Sequence, residues 1–167
     1  MTASYVASQT LNEHWDGYLP VDPAAIAARA GAYVVAEPML DREGISGDCY
    51  FDDDGVPVIR FNPYDNERRQ RFTIAHELGH VLQRHVQPGG RMHRDPKRDY
   101  QRMGETPMER EANEFAAQLL MPESVLKLAA RTLRSSQRLA AEFNVSTEAM
   151  KYRLQNIGIL LRDPQRY

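Results

Sequence analysis

The sequence predicts an α+β fold, with a small antiparallel or mixed sheet in the first half and a succession of helices after it. Three observations carry this reading. Two short runs rich in β-branched and aromatic residues flank the turn Asp52-Asp53-Asp54-Gly55, which is a hairpin signal. From about Asp65 the apolar period lengthens to that of a helix. Beyond Thr106 the chain reads as helices separated by short breaks.

Taken in order, residues 1–20 are polar and acidic, without the basic start and apolar core of a signal peptide. His14 and Trp15 there read as a surface and a packing residue. Asp22-Pro23 predicts an N-cap with proline at the first helical position, opening a short helix that stops at Gly31. Residues 32–36 form a small β-branched run, a candidate strand. The hairpin follows at 47–51 and 56–61. A helix over about 65–85 places Ile74, Leu78, Val81 and Leu82 on one stripe.

Residues 87–104 contain Pro88, Gly89, Gly90, Pro96 and Gly104 among several basic residues and read as a long loop. Thr106-Pro107 opens a second strong helix through Leu120, expected to bury Met108, Ala112, Phe115, Ala116 and Leu119. Met121-Pro122 ends it, and three short helices are expected over about 122–131, 135–143 and 146–157.

Composition narrows the class. Of 167 residues, 42% are apolar and 26% charged, as in a folded soluble protein with a core. The formal charge is −2. It is unevenly spread: residues 1–121 hold 13 basic and 19 acidic side chains, residues 122–167 hold 8 and 4. A basic tail on an acidic body hints at an acidic partner, or is a solvated helical face. Cys49 is the single cysteine, so no internal disulfide can form, and a small core residue is expected there. No apolar run approaches the roughly 20 residues that span a bilayer. These features predict a cytoplasmic location.

The chemistry lies in His76-Glu77-Leu78-Gly79-His80. H-E-x-x-H on a helix puts two histidines four residues apart on one face, where both imidazoles can reach one zinc ion. Glu77 then stands beside the metal as general base for the attacking water. Gly79 leaves room for a close approach by backbone or substrate.

A catalytic zinc site uses three protein ligands. The 106–120 helix offers Glu109 on its buried face and Glu111 on its flank, with Glu109 the expected ligand and Glu111 the alternative. Asn113, four residues after Glu109, is placed to hydrogen-bond a ligand. Thr106-Pro107-Met108-Glu109 also fits a capping box, in which Glu109 would only bond backbone. Manganese or another divalent ion would also suit such a ligand set. His85, five residues after His80, falls off the ligand face and reads as a helix-end residue. Tyr64, His93 and Tyr152 are candidate oxyanion donors.

The run Phe72-Thr73-Ile74-Ala75-His76-Glu77-Leu78-Gly79-His80 and the block from Glu109 to Pro122 together resemble the ImmA/IrrE family of metallopeptidases. The resemblance covers roughly residues 22–157. It implies a minimal zincin-like domain over 1–121, with His76, His80 and Glu109 as zinc ligands and Glu77 as base. It also implies a helix-turn-helix repressor as substrate, whose cleavage relieves repression of a mobile element, phage or stress regulon.

In residues 122–167, the stretch from Leu139 to Met150 resembles a helix-turn-helix. Asn144 suits its left-handed turn, Ser146 caps its second helix, and Lys151 and Arg153 are candidate DNA contacts. Packing on the peptidase body is the expected role of this tail, ahead of direct DNA binding. Two functions are therefore carried forward. One is a site-specific endopeptidase, with strand 56–61 holding an extended substrate by strand addition. The other is a non-catalytic, zinc-containing anti-repressor or antitoxin-type regulator.

Overall fold

The structure, a computed structural model, describes residues 1–90, 93–96 and 106–161. The chain opens with α1 (Ala3–His14), capped by the Thr2 side chain. Asp22 then accepts from the Ala24 and Ala25 amides and starts α2 (Pro23–Arg29), so the Asp-Pro signal acts as the sequence implied.

β1 (Tyr33–Ala36) and the single-turn α3 (Met39–Arg42) lead into β2 (Ile45–Phe51) and β3 (Pro57–Phe61). The hairpin turn is held by the Asp52 carboxylate, which accepts from the Asp54 and Val56 amides. Gly55 supplies the positive φ of 77° that closes it.

β1 runs parallel to β3, and β2 is antiparallel to β3. β4 (His93–Pro96) joins the other side of β2 antiparallel, giving a four-stranded sheet in the order β1-β3-β2-β4. Two expectations change here. The 87–104 segment is not loop throughout, since 93–96 pairs with β2; residues 91–92 and 97–105 lie outside the described residues. Strand 56–61 cannot take up an extended substrate either. β3 is bonded on both sides and has no free edge, and the edges are β1 and β4.

α4 (Glu67–Leu82) is capped by Asn66 and buried without interruption from Thr73 to Val81. The sequence suggested an amphipathic stripe. Burial all round follows because α4 lies between β2 and β3 on one side and α5 (Pro107–Leu120) and α2 on others. α1 lies along α5. It buries Ala3, Ala7, Thr10 and Leu11, a stripe of mostly small residues that the polar composition of 1–20 concealed. In α5, Ala112, Phe115, Ala116 and Leu119 are fully buried, but Met108, in the first turn, is 47% exposed.

α6 (Glu123–Leu133), α7 (Ser136–Phe143) and α8 (Thr147–Asn156) follow. Leu126, Leu139, Phe143, Met150 and Leu154 enter the same apolar cluster as Leu78 and Phe115. The α7–α8 turn rests on the start of α4. Asn144, left-handed at φ 49°, donates to Glu67 Oε1 at 2.8 Å. Its carbonyl accepts from Arg71 Nε at 3.3 Å, while Arg71 Nη2 donates to the Val21 carbonyl at 2.6 Å.

Arg153 turns inward. It is 7% exposed, and its guanidinium donates to the Met121 carbonyl and to Gln118 Oε1. A side chain so committed cannot reach a phosphate, so Arg153 is not a DNA contact; Lys151 is exposed.

Candidate metal centre

The centre is built where α4 and α5 meet. Close approach of the two helices depends on Gly79: a Cβ there would lie 3.0 Å from Phe115 Cδ1 and 3.2 Å from its Cβ and Cγ. The space that the sequence assigned to backbone or substrate is therefore occupied by the Phe115 ring. On the other side, β2 presses on α4 at Gly47, where a Cβ would stand 2.3 Å from Thr73 Cγ2 and 2.9 Å from the Arg60 carbonyl oxygen.

His76 and His80, both fully buried, bring their Nε2 atoms to 3.0 Å. Glu109 crosses from α5 and sets Oε2 3.3 Å from His76 Nε2 and Oε1 3.4 Å from His80 Nε2. Thr106 Oγ1 accepts from the Glu109 amide, so the N-cap forms while the Glu109 carboxylate points at the histidines. Glu111 lies elsewhere, with Oε2 2.9 Å from His85 Nε2. Ligand atoms of His76, His80 and Glu109 all fall within 4.8 Å of one another, the one such group of three among the described residues.

Hydrogen bonding fixes which lone pairs face inward. Asn113 Oδ1 lies 2.9 Å from His76 Nδ1 and can only accept, so His76 carries its proton on Nδ1 and presents a bare Nε2. His80 Nδ1 lies 3.0 Å from His85 Nδ1. His85 Nε2 must donate to the Glu111 carboxylate, so a neutral His85 accepts at Nδ1, and the His80 proton sits there too. Two bare imidazole nitrogens and a carboxylate thus converge. Such a set of donor atoms can hold a cation between them. The two carboxylate–imidazole spacings also fit one, since ligands about 2.0–2.1 Å from a tetrahedral ion are about 3.3–3.4 Å apart, while the two Nε2 atoms stand closer, at 3.0 Å.

Glu77 is fully buried beside this group and faces β2. Its neighbour there is Cys49, also fully buried. Burial, and then the charge and hydrogen bonding of Glu77, push the Cys49 thiol far above its ordinary range. The thiol therefore stays protonated, as a small core residue and not a nucleophile.

Of the candidate oxyanion donors, the two tyrosines lie at the surface. Tyr64 and Tyr152 are 72% and 64% exposed. The His93 side chain lies outside the described residues. The sequence missed the His85 link to His80. On an unbroken helix the fifth residue stands about 140° round from the first. Here Arg84, left-handed at φ 61°, folds the chain back so that the His85 amide donates to the His80 carbonyl at 2.9 Å. No periodicity argument signals such a reversal.

Comparison with known proteins decides the relationship. Residues 27–155 match the peptidase family described as the IrrE N-terminal-like domain. The chain belongs to that family. The matched span includes every residue of the centre, and it makes this chain a member of a metallopeptidase-type family. Among solved structures, the fold is similar to that of a Mycobacterium tuberculosis transcriptional regulator. The TM-score is 0.63 and the identity 21%, over 99% of this chain and 48% of that one. The chain thus spans about half the length of that regulator. No curated protein matches it. Among the described residues, no helix is long and apolar enough to cross a membrane.

Proposed function

We propose that this IrrE-like protein is a zinc-dependent endopeptidase acting in the cytoplasm, and that its substrate is a helix-turn-helix transcriptional repressor. The observation that carries the reading is the convergence of one ligand atom each from His76, His80 and Glu109 within 4.8 Å of one another, with a buried carboxylate beside them. Family membership and the likeness to a transcriptional regulator support it.

In this reading His76, His80 and Glu109 hold the metal. Zinc suits two imidazoles and a carboxylate, and manganese would be accepted by the same set. The bound ion supplies Lewis acidity, making water a nucleophile near neutral pH and polarising the amide carbonyl. The protein supplies the rest. Asn113 holds the His76 ring by its Nδ1–H and so fixes the orientation of its lone pair. Glu77 takes the proton of the attacking water and passes it to the leaving amine. Its burial strengthens both transfers by excluding solvent. An extended substrate would pair beside β4, which among the described residues is the edge next to β2. Repressor docking and packing on α4, rather than DNA reading, is the role proposed for α6–α8, because Arg153 is turned into the protein.

The test pairs the zinc-loaded protein with a helix-turn-helix repressor encoded beside its gene. Wild type, wild type with chelator and Glu77→Gln run in parallel. Wild type alone should yield a discrete fragment, with Glu77→Gln slower by about 10²–10⁴-fold. A repressor that stays whole in all three, yet binds, would replace cleavage by an anti-repressor mechanism.

A further inference from the structure

Each histidine of the centre has its own support, and the two supports differ in kind. His76 Nδ1–H donates to a neutral amide, Asn113 Oδ1, at 2.9 Å. His80 Nδ1 lies 3.0 Å from another imidazole, His85 Nδ1, whose Nε2 lies 2.9 Å from the Glu111 carboxylate, so with a neutral His85 the His80 Nδ1–H donates to it and it donates in turn to Glu111. The result is a chain of carboxylate, imidazole and ligand imidazole. The rings of His80 and His85 meet edge to face, 5.0 Å between centroids, so His85 also packs against the ring it supports.

The chain is built and not incidental. The left-handed Arg84 is what brings His85 back under His80, and the His85 side chain is 8% exposed. Glu111 sits two positions after Glu109 on α5, with its carboxylate 54% exposed. One helix therefore offers one carboxylate to the metal site and another to His85, the residue behind a ligand.

We propose that His85 and Glu111 are positioning residues for the metal centre, holding His80 with its proton on Nδ1 and its Nε2 lone pair aimed at the ion. The inference rests on the zinc reading above. An acceptor behind a ligand histidine fixes its tautomer and raises its basicity, and loss of such support costs about 10–100-fold in metal affinity. Glu111 polarises His85, which makes His85 Nδ1 a better acceptor for His80. Without His85, the His80 ring can take the other tautomer or rotate, and its lone pair leaves the site.

The experiment measures zinc affinity of the full chain by competition with a chelating dye. Apo-protein thermal unfolding is followed in parallel, on wild type, His85→Ala, His85→Gln and Glu111→Gln. His85→Ala should bind zinc about 10–100-fold more weakly. His85→Gln, whose amide oxygen can accept from His80 Nδ1–H, should recover part of that loss. Glu111→Gln, at the exposed end, should lose less than His85→Ala. A merely structural role would lower the apo unfolding temperature without this ordering of affinities. Should His85→Ala fail to fold, the Gln variants decide. Wild-type zinc uptake with all variants within twofold of it overturns this inference alone. A wild type that takes up no zinc overturns it together with the zinc reading.

Discussion

Replacing Gly47 by alanine tests the contact that sets β2 against α4. The added Cβ would stand 2.3 Å from Thr73 Cγ2 and 2.9 Å from the Arg60 carbonyl oxygen. Carbon–carbon contact is favourable only near 3.5–4.0 Å, so the first approach is short by more than 1 Å. Thr73 is fully buried on α4, and the Arg60 carbonyl belongs to β3, so neither can swing aside into solvent. Overpacking of this kind costs about 1–3 kcal/mol. With a backbone atom among the obstacles, the upper end applies, about 3 kcal/mol. For a chain of this size that is a fall of roughly 6–12 °C in unfolding temperature. Urea and thermal denaturation of wild type, Gly47→Ala, Thr73→Ser and the double variant measure it. Thr73→Ser removes Cγ2, so the double variant should be more stable than the summed single effects by about 1–2 kcal/mol. Rescue stays incomplete because the Arg60 carbonyl remains. A Gly47→Ala protein within 0.5 kcal/mol of wild type, or no coupling to Thr73, would refute this account of the strand–helix contact.

Two further outcomes follow from buried groups. Arg153→Met should cost about 2–3 kcal/mol in urea unfolding, because it leaves the Met121 carbonyl and Gln118 Oε1 buried without their charged donor. A cost under 0.5 kcal/mol would mean the guanidinium is free to act elsewhere. Cys49 governs alkaline stability. Its folded pKa is raised above the unfolded value of 9.0, so its contribution is fully present below that pH and is lost as pH rises beyond it. Wild type should lose up to about 1.4 kcal/mol per pH unit above 9 relative to Cys49→Ala, read as unfolding free energy from pH 8 to 10. Equal slopes for the two proteins would show that the thiol ionises freely in the fold.

Local signals carried much of the architecture. Asp22-Pro23, Asn66, Thr106-Pro107 and Asp52 through Gly55 act through side chain to backbone bonds within a few residues, and such bonds are written in the chain itself. What stayed hidden depends on neighbours distant in sequence. α1 buries alanines and a threonine against α5, a stripe too weakly apolar to stand out. β4 exists through its pairing with β2, and nothing in its own residues departs from a basic loop. At the centre, spacing placed His76 and His80 on one face, but the direction of the Glu109 carboxylate and the use of Glu111 depend on how α5 crosses α4. His85 depends on one left-handed residue.

The docking of Asn144 on the first turns of α4 also bears on the order in which the site can mature during synthesis. Glu67 and Arg71, which lie at the start of α4, find their partner 77 and 73 residues further along the chain. Arg71 spans both directions, since it also holds the Val21 carbonyl, 50 residues behind it. A ribosome adding about 5–20 residues per second would need several seconds to deliver Asn144 after Arg71. Throughout that interval the helix bearing His76, Glu77 and His80 lacks its C-terminal brace. The helix that carries the candidate metal ligands therefore gains this brace only once Asn144 has been made, well after its own residues.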